Sequence, residues 1–157
     1  MGQTLQTRLL DASDVELVCA HREKIFLEAG KDQQTLETMT ASFRHWLKPR
    51  LLDGSYFGFT VTDNGKPVAG IGLMTIDWPP HPSHPQQDKR GYVLNLYVET
   101  SHREQGIGKR LMQMAEDEFA RRGIQFAILH ATAMGRPMYE GFGWSGTSEM
   151  AKGVLGG

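Results

Sequence analysis

The chain has 157 residues, of which 39% are hydrophobic and 22% are charged. This length and composition predict one globular domain over residues 1–157 and exclude a wholly disordered chain. The 17 Lys and Arg residues nearly balance the 18 Asp and Glu residues, and the net charge of -1 argues against a nucleic-acid partner. The single cysteine, Cys19, excludes an intramolecular disulfide and a thiolate zinc cage.

No apolar run approaches the roughly 20 residues that a membrane-spanning helix needs, so no membrane partner is expected. Residues 1–5 lack the basic start and apolar segment of a secretory signal. The default expectation is therefore a cytoplasmic protein.

Two helices are predicted in the first third of the chain. Ser13 and Glu16 fit a capping box, with Ser13 as the N-cap residue of the first helix and Gly30 as its stop. Its apolar positions at helical spacing are Val15, Val18, Cys19, Ile25 and Phe26. The second helix is expected to end or kink at Pro49. One face of that helix carries Leu36, Met39, Thr40, Phe43, Trp46 and Leu47.

A β-hairpin is predicted next, from a strand over 56–62 to a return strand over 68–76. The turn between them contains Asn64-Gly65, a strong hairpin signal. The glycines at 70 and 72 suggest a bulge or a close backbone approach in the return strand. Four prolines make residues 78–90 an irregular loop. That loop holds His81 and His84 near metal-like spacing, but it offers no clear third ligand, so no metal site is predicted.

The second half alternates strands and helices. A buried strand over 92–99 is expected to place Leu94, Leu96 and Val98 on one face, and a helix follows over 106–122 with Gly123 at its C′ position. A short strand over 126–131, a short helix over 136–140 and one or two strands within 148–155 complete the prediction. This order indicates an α+β protein whose mixed sheet has one parallel crossover at its centre.

The segment with the clearest chemistry is the turn from the strand over 92–99 into the following helix. Gly106 and Gly108 lie at the start of that helix, where unpaired backbone N–H groups and the helix dipole attract anions. Arg103, Lys109 and Arg110 add positive charge at the same point. The spacing fits neither a Walker A loop nor a dinucleotide-binding fingerprint. In physical terms the segment predicts a pyrophosphate cradle.

The run Arg103-Glu-Gln-Gly106-Ile-Gly108 resembles the Arg/Gln-x-x-Gly-x-Gly/Ala signature of the GCN5-related N-acetyltransferase (GNAT) superfamily. Residues 128–144, in which Tyr139 precedes Phe142-Gly143-Trp144, are similar to the second signature of that family. The resemblance is specific over residues 92–144. It implies a mixed, mostly antiparallel twisted sheet with a central splayed pair of parallel strands and flanking helices.

The resemblance also implies acetyl-coenzyme A as cosubstrate and direct attack of a primary amine, from a small molecule or a peptide, on its thioester. The residues that match the family's cofactor-binding segments are Leu96, Tyr97, Val98, Arg103, Glu104, Gln105, Gly106, Ile107, Gly108, Lys109 and Arg110. Tyr139 matches the usual general acid, which protonates the departing thiolate. Dimers are common in the family, so a homodimer is one expectation.

The resemblance leaves the general base and the acceptor open. Some members use a glutamate on the central strand; the matching position here is Tyr92, and Glu99 is out of register with it. A water relay, Asn95, His130 or an acid on the first two helices is equally permitted. The alternative to an enzyme is a catalytically silent GNAT-like module that binds acyl-coenzyme A as a sensor or partner.

Overall fold

The computed structural model describes residues 4–155 of the chain. The strands are β1 (Leu5–Leu9), β2 (Phe57–Asp63), β3 (Lys66–Asp77), β4 (Lys89–Val98) and β5 (Ala127–Leu129). The helices are α1 (Val15–Glu28), α2 (Gln33–Asp53), α3 (Ile107–Arg121) and α4 (Arg136–Gly141). Residues 1–3, on which the expected lack of a secretory signal partly rests, lie outside the described residues.

The strands form one sheet in the order β1-β2-β3-β4-β5. The first three pairs are antiparallel, and β4 pairs in parallel with β5. Helices α1 and α2 pack on one face of this sheet around a core that includes Leu47 and Tyr56. Helix α3 packs on the other face with Leu111 and Phe119 at its centre. The predicted fold class, a mixed and mostly antiparallel sheet with a parallel pair and flanking helices, is confirmed.

The start of α1 differs from the prediction. The capping box lies two residues earlier, where the Asp11 carboxylate accepts a hydrogen bond from the Ser13 amide and the Asp14 carboxylate accepts one from the Asp11 amide. Asp14 also forms an ion pair with Arg8, which stabilises a short 3-10 turn over residues 12–14. Ser13 is therefore not the N-cap residue of α1. The capping box at Asp11 belongs to the 3-10 turn, and the N-cap residue of α1 is Asp14.

Helix α2 continues past Pro49 to Asp53 and ends at Gly54, which has a φ of 82°. Of the two predicted outcomes, that Pro49 ends the helix or kinks it, the first is wrong. Leu47 and Leu51 lie on the buried face on either side of the proline, and their packing holds the last turn in helical geometry.

The central strand β4 contains a bulge that the sequence pattern did not predict. Gly70 pairs with Tyr97 and Gly72 with Leu94, so β4 has one residue more than β3 between these pairs. Asn95 within the bulge has a φ of 58°. The extra residue reverses the alternation of side chains, and Leu94 packs towards α1 and α2 whereas Leu96 and Val98 pack towards α3. The prediction that these three residues share one face is therefore wrong.

The hairpin and its glycines agree with the prediction. Asn64 and Gly65 both have positive φ, and Asp63 pairs with Lys66 across the turn. A Cβ atom at Gly72 would lie 1.9 Å from the Tyr56 hydroxyl oxygen. The glycine in β3 therefore serves a close approach between the sheet and the end of α2.

The two ends of the chain differ from the prediction. Strand β1 was missed, although Leu5, Thr7 and Leu9 alternate with polar residues as in an edge strand. The strands expected within 148–155 do not form in the described part of the chain. Gly153 interrupts this region and Gly143 and Gly146 precede it, and glycine is disfavoured in strands.

The proline-rich loop, which the structure places at residues 78–88, is held by buried His84. Its Nε2 atom accepts a hydrogen bond from Arg90, and its Nδ1 atom lies 2.9 Å from the Gln87 carbonyl oxygen. The Arg90 guanidinium stacks over the rings of Trp78 and Phe126. His84 therefore has a structural role in this loop.

None of the helices between residues 4 and 155 combines the length and the apolar character that crossing a membrane requires.

Candidate active site

The candidate site is a cavity where the parallel strands separate. Strands β4 and β5 pair only from Gly91 with Ala127 to Val93 with Leu129, and beyond these pairs β4 continues without β5. A cavity of about 720 Å³ opens between the two strand ends. The C-terminal end of α1, the start of α3 and helix α4 close its sides. The splay of the two strands thus creates space for an extended ligand.

The turn that leads into α3 presents six unbonded amides in succession. The N–H groups from Glu104 to Lys109 donate no hydrogen bond to any described residue, and the helix ladder begins with the bond from the Arg110 amide to the Gly106 carbonyl. Glu104 and Gly106 have φ values of 63° and 81°, so the backbone turns sharply here. A Cβ atom at Gly106 would meet nothing within 4 Å. These open amides at a helix N-terminus are suited to bind a phosphate group.

The basic side chains around this turn differ in whether a carboxylate pairs with them. Lys109 lines the cavity and Arg110 lies outside the cavity lining, and neither forms an ion pair within residues 4–155. The Arg103 guanidinium, in contrast, pairs with Glu28 at 2.8 Å and donates from Nε to the Val98 carbonyl at 2.8 Å. No acidic residue occupies the first turn of α3, although acids stabilise that position. Glu104 adds one negative charge to the turn, and Lys109 and Arg110 outweigh it, so the net charge that faces an anionic ligand stays positive.

The strand residues before the turn line the same cavity. The Tyr97 side chain is buried and donates its hydroxyl hydrogen to Glu28 at 2.8 Å. Burial and the neighbouring Glu28 carboxylate raise the pKa of Tyr97 to about 12. Glu28 therefore binds both Tyr97 and Arg103, and it fastens the end of α1 to the end of β4.

Tyr139 lies on the opposite side of the cavity, on α4. Its ring is half-buried, and its hydroxyl group forms no hydrogen bond with any described residue. Burial raises the pKa of Tyr139 above its ordinary value. The phenol is consequently protonated at neutral pH and free to donate a hydrogen bond to a ligand in the cavity.

A chain of three polar side chains reaches the cavity through His130, the one member of the chain that lines it. The Tyr92 hydroxyl oxygen is 3.2 Å from Nδ1 of His130, and Nε2 of His130 is 3.1 Å from a Glu149 carboxylate oxygen. Burial raises the pKa of Tyr92. With Nε2 protonated and facing Glu149, Nδ1 is the acceptor for the Tyr92 hydrogen. The arrangement can carry a proton from Tyr92 towards Glu149.

The model of the acetyltransferase (GNAT) family matches residues 18–144. The chain belongs to the GNAT family of acetyltransferases. A GCN5-related N-acetyltransferase from Ralstonia eutropha JMP134 is 62% identical, with a TM-score of 0.95, over 97% of this chain and 99% of that one.

Two more distant structures share the GNAT fold. A predicted acetyltransferase from Clostridium acetobutylicum, solved with acetyl-CoA, is 22% identical with a TM-score of 0.87, and the match covers 97% of both chains. A ribosomal-protein-alanine N-acetyltransferase from Brucella melitensis biovar Abortus 2308 is 19% identical with a TM-score of 0.67, over 98% of this chain and all of that one. At these identities the likeness shows the fold alone.

Most of the site residues that the GNAT resemblance implied meet at this cavity. It is lined by Leu96, Tyr97, Val98, Arg103, Glu104, Gly106, Ile107, Gly108, Lys109 and Tyr139. Gln105 and Arg110 are not part of its lining, and the Ile107 side chain is buried in the core, so that its amide faces the turn. Within residues 4–155, no three His, Cys, Asp or Glu side chains are grouped as a metal site would need.

Sequence reasoning missed two residues that shape this GNAT site. The sequence pattern does not single out Glu28 among the acids on the first two helices, yet it neutralises Arg103 and binds Tyr97. Glu149 was not considered, because its contact with His130 joins residues 19 positions apart in a segment without regular structure. The neighbouring sequence, Gly146-Thr147-Ser148, carries no signal that points to it.

Proposed function

We propose that this chain transfers the acetyl group of acetyl-coenzyme A to a primary amine by direct attack of the amine on the thioester. The observation that carries the proposal is the run of six unbonded amides, Glu104 to Lys109, at the mouth of the cavity between the splayed strands. A pyrophosphate needs several N–H donors at close range, and a glycine-rich helix start supplies them without side chains in the way.

Other residues of the cavity are proposed to contact the remaining parts of acetyl-coenzyme A. Lys109 adds a mobile positive charge beside the amides, and Leu96, Tyr97 and Val98 offer backbone groups along the strand end to the pantetheine arm. Acetyl-coenzyme A supplies a thioester that is already activated towards amines. An amide of the same strand is suited to stabilise the negative charge that develops on the thioester oxygen.

Tyr139 is the proposed general acid. An ordinary thiol has a pKa of about 8.5, so a thiolate that leaves at neutral pH takes a proton readily. Burial keeps the Tyr139 phenol protonated, and its hydroxyl group has no competing partner among the described residues. Removal of one general acid typically lowers the rate by about 10²–10⁴-fold.

The proposed route for the proton of the attacking amine is the chain Tyr92–His130–Glu149. Tyr92 occupies the strand position at which some GNAT enzymes have a glutamate. A phenol alone is a poor base at neutral pH, but a phenol that passes its proton to His130 needs no unusual pKa. Glu149 orients the imidazole and stabilises its positive charge.

A catalytically silent module that binds acyl-coenzyme A is the alternative. The specific observation in its favour is Tyr92, which replaces an acidic residue on the central strand. Both proposals use the same amides, and only the enzyme requires Tyr139 and His130 to move protons. Turnover with an amine therefore separates them, whereas cofactor binding does not.

The amide cradle is tested with two variants of one residue. A Cβ atom at Gly108 would be 3.7 Å from the Met138 sulfur, an ordinary contact, so Gly108→Ala is expected to fold and to bind acetyl-coenzyme A. Gly108→Trp places an indole among the amides and is expected to abolish binding while the protein still folds. Calorimetric titration of both variants measures this difference, and undiminished affinity in Gly108→Trp refutes the cradle.

The acid is tested in parallel with Tyr139→Phe. The expected result is a fall in kcat of about 10²–10⁴-fold at nearly unchanged affinity for acetyl-coenzyme A, because only a proton donor is lost. Release of the coenzyme A thiol with a panel of primary amines measures kcat. Unchanged kcat would assign the proton transfer to another group or to water.

A further inference from the structure

Arg22 lies on α1 just behind the wall of the cavity: it is not itself a lining residue, but its hydrogen-bond partner Asn95 is. Ile25 and Ala29, which line the cavity, follow it at helical spacing on the same face. The guanidinium Nη1 atom donates to the side-chain Oδ1 atom of Asn95 at 2.8 Å, and Asn95 lines the cavity at the bulge of β4. Glu28, beside the amide turn, is six residues further along α1, which is about 9 Å along the helix axis. Arg22 therefore lies away from the cofactor cradle, towards the Tyr92 end of the site.

The charge of Arg22 is not neutralised within the described chain. Among residues 4–155 no carboxylate forms an ion pair with it, and its Nε atom is fully buried without a hydrogen-bond partner. Burial lowers its pKa, and the polar groups that act against this effect are Tyr56, Tyr92 and Cys19. Burial raises the pKa of all three, so they are neutral at neutral pH. A half-buried cation without a counter-ion is costly, and such costs are typical of binding sites.

The surroundings of Arg22 fix the orientation of its guanidinium group. Its Cζ atom lies 4.7 Å from the centre of the Phe43 ring and 5.2 Å from that of Phe26. Asn95 is fixed in turn, because its amide nitrogen donates to the Tyr56 hydroxyl oxygen at 2.9 Å. The Nη2 group forms no hydrogen bond with any described residue. The planar guanidinium group is held in place and still has N–H donors without a partner, and this geometry suits the binding of a carboxylate.

We infer that Arg22, positioned by Asn95, binds a carboxylate of the acceptor, so that the acceptor is an amine that also carries a carboxylate group. This inference rests on the proposed function, since it names the substrate class of the same site. The acceptor amine then lies between the thioester and the Tyr92–His130–Glu149 chain, and its carboxylate replaces the counter-ion that the protein does not supply to Arg22.

The test compares amino acids with their primary amides, in which the carboxylate is neutralised at almost unchanged size. The panel includes α-, β- and γ-amino acids, because the distance from amine to carboxylate is a property of the unknown acceptor. Coenzyme A thiol release gives kcat/KM for each acid and its amide. Wild type is expected to prefer the best acid by about 10- to 100-fold, the effect of one hydrogen bond to a charged group.

Arg22→Met is expected to remove this preference, so that kcat/KM for each acid falls to about the value for its amide. Arg22→Gln, which keeps a donor for Asn95, is the second variant and guards against a loss of folding in the first. The matched control is Arg50→Met, because Arg50 also lies over an aromatic ring, that of Trp46, and forms no ion pair within residues 4–155. The control is expected to keep the preference for acids.

A binding measurement separates the inference from the proposed function. The N-acetylated acids, which are the products of transfer, are expected to raise the Tm of wild type, and neither their amides nor the Arg22 variants are expected to show this shift. If the shift occurs without turnover, the carboxylate site stands and the proposed function fails. If amines are acetylated with equal kcat/KM for acids and amides, or if the Arg22 variants keep the preference, the inference is refuted while the proposed function stands. If neither turnover nor a shift occurs, the carboxylate site is refuted.

Discussion

His21 gives the protein a specific sensitivity to acid. The imidazole is buried on α1, where its ring lies 5.2 Å from that of Tyr97 and its Nδ1 atom packs against Gly70. Burial lowers the pKa of His21 from 6.5 to about 4; the nearby Glu99 carboxylate opposes this shift, and Lys24 adds to it. Between these two pH values the unfolded chain binds a proton at this residue and the folded chain does not.

The free energy of unfolding is therefore expected to fall as the pH drops from 6.5 towards 4, and the contribution of His21 becomes constant below that. A difference of 2.5 pKa units corresponds to about 3 kcal/mol at about 1.36 kcal/mol per unit. This contribution is fully present above pH 6.5. A loss of this size is a large fraction of the stability of a typical domain.

The assay is urea unfolding of wild type and His21→Phe from about pH 7 to about pH 4, because a phenyl ring keeps the burial and cannot be protonated. Carboxylates elsewhere titrate in both proteins, so the difference between the two profiles isolates His21. As the pH falls, the free energy of unfolding of wild type is expected to drop by about 3 kcal/mol more than that of His21→Phe. Parallel profiles would show that His21 is not buried in its neutral form and would refute this account.

Three further changes are predicted. Gly72→Ala is expected to destabilise the protein by about 2 kcal/mol or more in urea unfolding, because its methyl group would overlap the buried Tyr56 hydroxyl; wild-type stability would contradict the packing. Glu28→Gln is expected to raise the affinity for acetyl-coenzyme A by up to about fivefold in calorimetry, because the charge of Arg103 is then no longer neutralised. Weaker binding would count against that reasoning. His130→Ala is expected to lower kcat by about 10²-fold or more without lowering the affinity for acetyl-coenzyme A. An unchanged kcat would exclude proton transfer through Tyr92, His130 and Glu149.

Features that depend on neighbouring residues in the chain were predictable from the sequence. The Asn64-Gly65 turn has the positive φ values that its residues favour, and Gly123 ends α3 in the same way with a φ of 76°. The glycine-rich start of α3 lies where the strand-to-helix pattern indicated it. In each case the residue type itself carries the conformational preference, so no distant contact is needed to infer the structure.

Features that depend on distant contacts were not predictable. The positive φ at Asn95 arises from the register between β3 and β4. An asparagine within a strand-like pattern does not by itself predict a bulge. Helix α2 passes Pro49 because packing on both sides outweighs the local preference. The contact of Glu28 with Arg103 joins residues 75 positions apart. The sequence therefore predicts the cradle and leaves the acceptor side of the cavity to the tertiary structure.

The central claim is that this chain moves an acetyl group from acetyl-coenzyme A to an amine. The most direct measurement incubates the protein with acetyl-coenzyme A and an amino-acid panel, and counts free coenzyme A thiol and N-acetylated product by mass spectrometry. Equal amounts of thiol and product are expected, at a rate far above hydrolysis that falls by about 10²–10⁴-fold in Tyr139→Phe. Cofactor that binds but releases no thiol above hydrolysis with any amine would contradict the account and leave a binding module in its place.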